Sequence, residues 1–266
     1  MAIAPPYRYA ETAPSPALAE WVLSFWHFAA DASPPADAPF AVWPDGCTSV
    51  AIVSLPRIAP MLTVVGPRAT SFQPGVVAGM RLVGMRLWPD ATPLVLALSP
   101  RALRDHQGPP PPTLAARFAS AVAAIPANGT SDEAMASLDR WMHGERDAFV
   151  SPDPRVRRAI HAVASARGEA TVTQVARAAG SSIRQLQRLF PEATGLTLSE
   201  YARVRRLREA LALRLSNDAA HWSRIAAERG FADHAHLTRE FVALAGLRPT
   251  DAARQLSLTA HDNVAP

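Results

Sequence analysis

The residues with the clearest potential for chemistry lie on a predicted helix from Ser182 to Phe190. Arg184, Gln187 and Arg188 stand at positions i, i+3 and i+4, so they project from one side of that helix. Arginine can donate two hydrogen bonds to guanine, and glutamine can pair in a similar way with adenine. A solvated polar face would have the same spacing. This helix alone therefore leaves DNA reading and a plain solvent-facing surface both open.

A second copy of the pattern favours DNA reading. Residues 171–195 and 221–246 each hold two short segments joined at a glycine, which is Gly180 in the first copy and Gly230 in the second. Three later residues also match between the copies: Leu186, Arg188 and Phe190 align with Leu237, Arg239 and Phe241. Two short helices joined by such a turn are typical of a helix-turn-helix unit. The chain is therefore predicted to carry two of these units.

The second predicted recognition helix starts at Asp233 and offers fewer reading groups than the first. We expect His236 and Arg239 to approach bases, although a packed or capping role suits His236 equally well. Ser182 in the first unit and Thr238 in the second are expected to contact the DNA backbone. The second unit is accordingly predicted to be the weaker or more backbone-oriented reader.

A long helix predicted from Leu198 to Leu215 connects the two units. At 1.5 Å per residue it would span about 27 Å, and two recognition helices on one duplex stand roughly 34 Å apart. Arg205 and Arg206 on this helix are expected to reach phosphates. The alternative is that such arginines pair with Glu200 or Glu209.

The charge distribution agrees with a nucleic-acid reader at the C-terminal end. All 27 residues counted as Lys or Arg are arginine. Residues 1–150 contain 10 arginines and 12 acidic residues, whereas residues 151–254 contain 17 and 10. A basic half beside a near-neutral half is typical of a reader joined to a sensing or assembly domain. We see neither a signal peptide nor an apolar run of about 20 residues, so we expect a cytoplasmic protein with no membrane partner.

The N-terminal half is predicted to be rich in β-structure. Short apolar runs separated by Pro, Gly and Asp indicate an antiparallel sheet or barrel, and they are residues 40–43, 48–53, 61–65 and 76–88. Residues 18–28 show a helical apolar face, although their end is also compatible with a strand. Later segments at 91–98, 114–124 and 132–142 have helical periodicity. The fold class is therefore α+β, with a β-rich domain at 1–148 followed by an all-α domain at 152–256.

Several N-terminal residues are candidates for a small-molecule pocket. Aromatic walls with a few polar groups are what such sites need, and the candidates are Trp26, Trp43, Asp45, Arg86 and Trp88. The alternative places these tryptophans in the core and the arginine on the surface. An enzyme would have to use Cys47 or scattered histidines, and no phosphate-binding loop, zinc-protease motif or nucleophile elbow is present. We therefore predict neither enzymatic activity, nor a cofactor, nor a metal site.

The C-terminal sequence resembles the DNA-binding domain of the AraC/XylS family of bacterial transcription regulators. The resemblance covers residues 155–254, and its most specific part is GFADHAHLTREF at 230–241. It implies that Arg184, Gln187 and Arg188 enter one major groove, while His236 and Arg239 approach the next. The chain departs from the family at Pro191, which is expected to end the first recognition helix early, and at His221, where a capping Ser or Thr is usual.

The N-terminal half resembles an uncharacterised domain found ahead of AraC-type readers, through the segments WPDGCTSVAIV at 43–53, GP at 66–67 and GMRLWPDA at 84–91. This resemblance implies effector sensing or dimerisation. We therefore predict a sequence-specific transcription regulator whose candidate partners are double-stranded promoter DNA, RNA polymerase, a small-molecule effector and a second copy of the chain. The alternative is a ligand-binding or enzymatic N-terminal domain whose helical domain serves as an accessory protein-interaction module.

Overall fold

The N-terminal half forms one sheet in the computed structural model, which describes residues 7–31, 40–125, 130–217, 220–257 and 260–261. Its strands are β1 (Tyr7–Thr12), β2 (Val22–Ala30), β3 (Ser49–Leu55), β4 (Ile58–Val65), β5 (Arg81–Leu87), β6 (Gln107–Gly108) and β7 (Ala260–His261). Their order in the sheet is β6-β4-β3-β5-β2-β1-β7. All neighbouring pairs are antiparallel except β1 and β7, so the end of the chain returns to the N-terminal sheet.

The central strand β5 is covered on both faces, as its mixed alternation predicts. Val83 and Met85 point into a core that also contains Phe25 and Phe118. Successive side chains in a strand point to opposite faces. Leu82, Gly84 and Arg86 therefore share the other face, and a cavity described below opens there.

Helices cover the first of these faces. They are α1 (Thr92–Leu96), α2 (Pro112–Arg117), α3 (Ala119–Ala124) and α4 (Ser131–Glu145), followed by a 3₁₀ turn at Arg146–Ala148. The predicted helix at 114–124 is thus divided at Phe118, which is fully buried against the sheet. The predicted helix at 18–28 is wrong: residues 16–21 form turns, and β2 begins at Val22. The predicted strand at 40–43 is a single bridge between Val42 and Phe72.

The C-terminal half is helical, as predicted. Its helices are α5 (Pro154–Ser165), α6 (Val172–Ala179), α7 (Ile183–Thr194), α8 (Leu198–Ser216), α9 (Trp222–Glu228), α10 (His234–Ala245) and α11 (Pro249–Ser257). Asp153 caps α5 through a hydrogen bond from the Arg155 backbone N–H, and Pro154 occupies the first turn, where no amide bond is lost. The proposed division into 1–148 and 152–256 falls between the 3₁₀ turn and α5, and it stays a prediction.

A buried ion pair joins the two halves. Arg157 on α5 donates from Nη2 to Oδ1 of Asp90 at 2.8 Å, and the Asp90 side chain is only 1% exposed. The same guanidinium lies over the Trp88 ring and donates to the Glu20 carbonyl. A charge buried this deeply needs a partner, so the pair fixes how the helical half meets the sheet.

None of the helices in the described part of the chain combines the length and the apolar character that a membrane span requires.

Candidate nucleic-acid interface and effector pocket

The first helix-turn-helix unit, α6 with α7, is held by reciprocal caps at both helix starts. Thr171 and Gln174 form a capping box at α6, and Ser182 and Gln185 form one at α7. Gly180 ends α6 in the left-handed conformation, at φ +63°, which glycine adopts without steric cost. These local rules place α7 at a fixed angle to α6, as the repeat pattern predicts.

The predicted reading face of α7 is open to solvent. Arg184, Gln187 and Arg188 are all exposed, whereas Leu186 and Phe190 on the opposite side are fully buried. Neither arginine makes an ion pair or hydrogen bond with any other part of the chain that the structure describes. Ser182, a predicted backbone contact, is exposed, but its hydroxyl accepts from the Gln185 backbone N–H. Three cationic or polar groups on one helix are thus available to a ligand.

The predicted early end of α7 is wrong. The helix does not stop at Pro191 but runs on to Thr194. Proline removes one backbone donor, yet Phe190 and Thr194 are fully buried, and Thr194 Oγ1 donates to the Phe190 carbonyl at 2.8 Å. Packing on both sides of the proline therefore outweighs the lost hydrogen bond. Ile183, which the helical period places on the core-facing stripe, is 40% exposed.

In the second unit, α9 with α10, fewer polar groups are available. His236 Nδ1 accepts a hydrogen bond from the Ala232 N–H at 3.2 Å, and its ring lies edge-on against Phe231. This is the packed and capping role considered for His236. Thr238 Oγ1 donates to the His234 carbonyl within the same helix at 2.9 Å. Of the three α10 residues predicted to contact DNA, His236 and Thr238 are half-buried and Arg239 is exposed.

The two arginines predicted to contact phosphates from α8 both make contacts within the chain. Arg205 is 7% exposed and approaches Glu209, one turn further along α8, at 3.4 Å. Arg206 is half-buried, donates to the Gly168 carbonyl at 3.0 Å and lies over the Phe231 ring. The prediction for Arg205 is corrected, because its buried side chain cannot reach DNA, whereas the phosphate contact of Arg206 stays a prediction.

A cavity of about 200 Å³ lies on the open face of the sheet. Its floor follows the strand register: Trp26 lies beside Gly84, and Ala51 and Thr63 continue the same row on β3 and β4. A Cβ atom on Gly84 would stand 2.6 Å from the Trp26 ring, so only glycine lets the indole lie across the sheet. The floor of the cavity is thus built from alternate residues of β2, β3, β4 and β5, with one residue each from β1 and β6 at its sides.

The structure brings four of the five predicted pocket residues to this cavity, namely Trp26, Trp43, Asp45 and Arg86. The fifth, Trp88, lies outside it, and its indole N–H donates to the Ala19 carbonyl at 3.0 Å near the junction of the halves. Trp88 instead lines a second cavity at that junction, together with Asp45 and Arg86, and its role in ligand binding stays a prediction. The sequence analysis did not identify four further aromatic residues that line the cavity, namely Tyr9, Phe28, Phe40 and Phe72. The alternation of Tyr7, Tyr9 and Glu11 in β1 is the signal from which part of this wall could have been found.

A buried polar network forms one end of the cavity. Arg86 Nη1 donates to Oε1 of Glu11 at 2.6 Å, and its Nε lies 2.8 Å from Oδ2 of Asp45. Tyr9 also donates to the Glu11 carboxylate. Burial alone would raise the pKa of Glu11, but Arg86 and Tyr9 outweigh it and hold that pKa below its usual range. The network therefore keeps Glu11 and Arg86 charged and fixed.

One donor in the cavity is left without a partner. The Trp26 Nε1 atom is buried and has no hydrogen-bond partner among the described residues. An unpaired buried donor costs about 1–3 kcal/mol, so an acceptor atom on a bound molecule would remove that cost. Burial, followed by Asp45, raises the pKa of the nearby Cys47 thiol, which disfavours its thiolate form. The described residues hold no cluster of three or more side chains suited to a metal ion.

Two segments of the cavity wall also contact the second helix-turn-helix unit. Trp43 lines the cavity and packs against the hydrophobic core formed by α8, α9 and α10. On the loop between β4 and β5, Ser71 donates through its backbone N–H to the Leu244 carbonyl at 2.7 Å and through Oγ to the Ala245 carbonyl at 2.8 Å. The end of the second recognition helix is therefore tied to the cavity wall.

Comparison with known proteins gives two family matches. Residues 175–255 match the helix-turn-helix domain family, and residues 10–109 match a domain of unknown function, DUF6597. No curated protein matches the chain.

Among solved structures, the chain is similar to ToxT from Vibrio cholerae. For strain O395 the TM-score is 0.44 and the identity 8%, over 94% of this chain and 97% of that one. For an apo variant of ToxT from strain SCE256 the TM-score is 0.45 and the identity 12%, over 81% and 91%. These low TM-scores and identities indicate a distant similarity, from which no conclusion about ligands of this chain follows.

The first family match coincides with the two units whose helices, turns and caps are described above. Its AraC-type domain gives the chain a DNA-binding role in transcription and not a catalytic one. Residues 175–255 thus form an AraC-type helix-turn-helix domain, residues 10–109 match DUF6597, and the chain is a DNA-binding transcription regulator.

Proposed function

We propose that the chain reads promoter sequence mainly through Arg184, Gln187 and Arg188 on α7, and that α10 adds a weaker contact through Arg239. One observation carries this proposal: the three α7 side chains are exposed to solvent, whereas Leu186 and Phe190 on the opposite side of the helix are fully buried. His236 contributes only through Nε2, because its Nδ1 already accepts a backbone hydrogen bond.

The test begins with selection of genomic fragments by the purified full-length chain, followed by affinity measurement on the best fragment and on an unrelated duplex. Arg184→Gln should weaken binding to the selected fragment by roughly tenfold or more, since a bidentate arginine–guanine pair contributes about 1–3 kcal/mol of discrimination. Binding to the unrelated duplex should change much less.

Arg57→Gln is the matched control, because it makes the same change of charge at an exposed turn between β3 and β4. It should leave both affinities near the wild-type values. If Arg184→Gln retained full affinity and selectivity, or if Arg57→Gln lost as much, α7 would not be the specific reader.

We further propose that a small effector occupies the cavity on the sheet and acts on DNA binding through its wall. Trp43 and Ser71 support this role, because both belong to segments that line or border the cavity and contact the second unit. The aromatic lining and the unpaired Trp26 donor suit a molecule with one ring and a hydrogen-bond acceptor; a cavity of about 150 Å³ holds benzene.

A screen of small aromatic compounds by tryptophan fluorescence would test the effector site. Bound compounds should lose affinity in Trp26→Phe, which keeps the aromatic body and removes the donor. Equal affinity for wild type and variant would exclude this cavity as their site. RNA polymerase and a second copy of the chain remain proposed partners, and the cytoplasm the proposed compartment.

A further inference from the structure

One short segment of the N-terminal half, residues 67–71 between β4 and β5, contacts both helix-turn-helix units. Both of its ends are fixed within the N-terminal half. Before it, the Gly66 N–H donates to the His106 carbonyl at 3.0 Å, and after it Phe72 and Val42 exchange backbone hydrogen bonds of 3.1 and 2.9 Å. The N-terminal half therefore determines where this segment lies.

The segment begins against the C-terminal end of the first recognition helix. Gly195 ends α7 in the left-handed conformation, at φ +77°. A Cβ atom on Gly195 would stand 2.7 Å from Pro67 Cγ and 2.6 Å from the Pro100 carbonyl oxygen, which is closer than a side chain tolerates. The end of α7 therefore lies directly on the N-terminal half.

The middle of the segment packs on the start of the linker helix. Ala69 is buried in one cluster with Leu196, which lies between α7 and α8, and with Val204 on α8. Leu196 and Val204 are both fully buried. Separation of the segment from α8 would remove these close-packed contacts, so the two are held together.

The last residue of the segment meets the end of the second recognition helix. Ser71 donates through its backbone N–H to the Leu244 carbonyl at 2.7 Å and through Oγ to the Ala245 carbonyl at 2.8 Å. Both carbonyls belong to the last four of α10, which have no partner within a helix. Ser71 therefore caps α10 from the other half of the chain.

Within the C-terminal half, the two units pack on α8 through separate cores. The core of the first unit contains Leu198 and Tyr201 of α8, and the core of the second contains Leu207 and Leu211. The two cores share no residue among those described. Bending or twisting of α8 between them would therefore change the distance between the two recognition helices. The 67–71 segment contacts the ends of both helices and opposes such a change.

We propose that the 67–71 segment positions the two recognition helices relative to each other, and thereby sets the spacing of the two half-sites that the chain binds. Helices that enter successive major grooves have to stand roughly 34 Å apart. Pro67, Ala69 and Ser71 are positioning residues, because they act through the helices that they hold. The spacing role rests on the proposed function, in which both α7 and α10 contact DNA.

Pulsed electron paramagnetic resonance on the full-length chain measures this positioning without DNA. Spin labels at Gln187→Cys and Ala235→Cys occupy exposed positions on α7 and α10, and Cys47 is buried. We expect one narrow distance distribution, which Gly195→Ala should shift or broaden because the added Cβ collides with the N-terminal half. Gly246→Ala is the matched control. It has the same left-handed strain at the end of α10, at φ +71°, but apart from chain neighbours no described atom lies within 4 Å of the added Cβ.

Operator spacing gives a second readout, on a selected fragment with two half-sites. One base pair inserted between them should lower wild-type affinity by roughly tenfold, comparable to the loss of a base contact. Gly195→Ala and Ser71→Ala should weaken binding to the uninterrupted fragment several-fold and make the insertion less costly, while affinity for a single half-site stays unchanged. Loss of folding would lower the single-site affinity too. Thr70→Ala, which removes a hydroxyl from an exposed neighbour, should behave as wild type.

The proposal is overturned if Gly195→Ala and Ser71→Ala retain the wild-type distance and spacing preference, or if Gly246→Ala changes them as much. A wild-type chain that needs only one half-site would instead overturn the proposed reading by α10. The distance measurement would then decide alone whether the segment holds the two helices.

Discussion

The two helix-turn-helix units have matching sequences but use their polar side chains differently. In the first unit, both helices start with capping boxes and the polar face of α7 is free. In the second, His221 gives α9 no side-chain cap, His236 supports its own turn, and Glu240 is paired with Arg203 at 2.8 Å. The two copies of the motif thus differ: the first presents a free polar face to solvent, and the second uses its polar side chains for contacts within the chain.

The largest expected difference between the units concerns DNA affinity. Arg188→Ala should reduce affinity for a selected fragment by roughly 10- to 100-fold, corresponding to the loss of about 1–3 kcal/mol in one base contact. Arg239→Ala should cost less, weaken all sequences alike and lower the salt slope by about 1. Titrations of both variants at several salt concentrations would check this. Equal, sequence-selective losses would make the second unit a full reader and remove the contrast.

The next difference concerns helix capping. Thr171→Ala breaks the capping box of α6 and should lower the free energy of unfolding by about 1 kcal/mol. His221→Ala, at the corresponding position of α9, should change it little, because no side-chain cap is present there. Chemical denaturation of the two variants gives the comparison directly. A large loss in the His221 variant would mean that the second unit depends on a cap that the geometry does not contain.

A gain of stability can be obtained in the second unit alone. His221→Ser places a hydroxyl at the N-cap of α9, where the backbone is already extended at φ −71° and ψ 141°. We expect an increase of roughly 0.5–1 kcal/mol in the free energy of unfolding. Hydrogen exchange in α9 should slow, while exchange in α6 stays constant. Unchanged protection in α9 would indicate that its N-terminus is stabilised by other means.

The smallest expected effect is a pH dependence on the side of the first unit. Glu200 belongs to the capping box of α8 and receives two hydrogen bonds from Arg104 of the N-terminal half. Arg104, followed by Thr197, outweighs burial and lowers the pKa of Glu200 from 4.5 to about 2. A lowered pKa means that the ionised carboxylate stabilises the folded state above pH 4.5 and that this contribution is lost between about pH 4.5 and 2.

Glu200→Gln should therefore unfold more easily than wild type near neutral pH, by less than about 1 kcal/mol, since both partners are partly exposed. The difference should shrink as the pH falls below 4.5. Denaturation curves at several pH values would measure it. A constant difference across that range would show that the Glu200 charge does not stabilise the fold.

The repeat joined at Gly180 and Gly230 predicted the helical half well, because local signals determine where its helices start and end. Thr171 with Gln174, Asp153 with Pro154, and Gly180 act within a few residues of one another, so their effects do not depend on distant parts of the chain. The division of α7 into an exposed and a buried face also follows from its 3.6-residue period. Whether the exposed face reads bases is a prediction that the affinity measurements decide.

Features that depend on tertiary packing were not predictable in the same way. Pro191 should end a helix by its local chemistry, yet burial of Phe190 and Thr194 carries α7 through it. Arg205 carries the same charge as any DNA-contacting arginine; its burial depends on how α8 packs, although its contact with Glu209 is an alternative that the sequence left open. Residues 18–28 have the apolar period of a helix but also β-branched and aromatic side chains that favour a strand. Hydrogen bonding to β1 and β5 makes the strand β2 the more stable structure from Val22 onward.

The double attachment of Trp43 and Ser71 has a consequence for how such regulators can be recombined. Trp43 completes the apolar interior of the second unit, and Ser71 donates hydrogen bonds to the last carbonyls of α10, so the C-terminal half depends on the N-terminal half for part of its packing. A chimaera that joins this N-terminal half to a foreign DNA-binding domain would leave an indole and a hydrogen-bonding loop without their complements. Exchange of specificities is therefore better made by grafting the exposed side chains of α7 than by fusing whole halves.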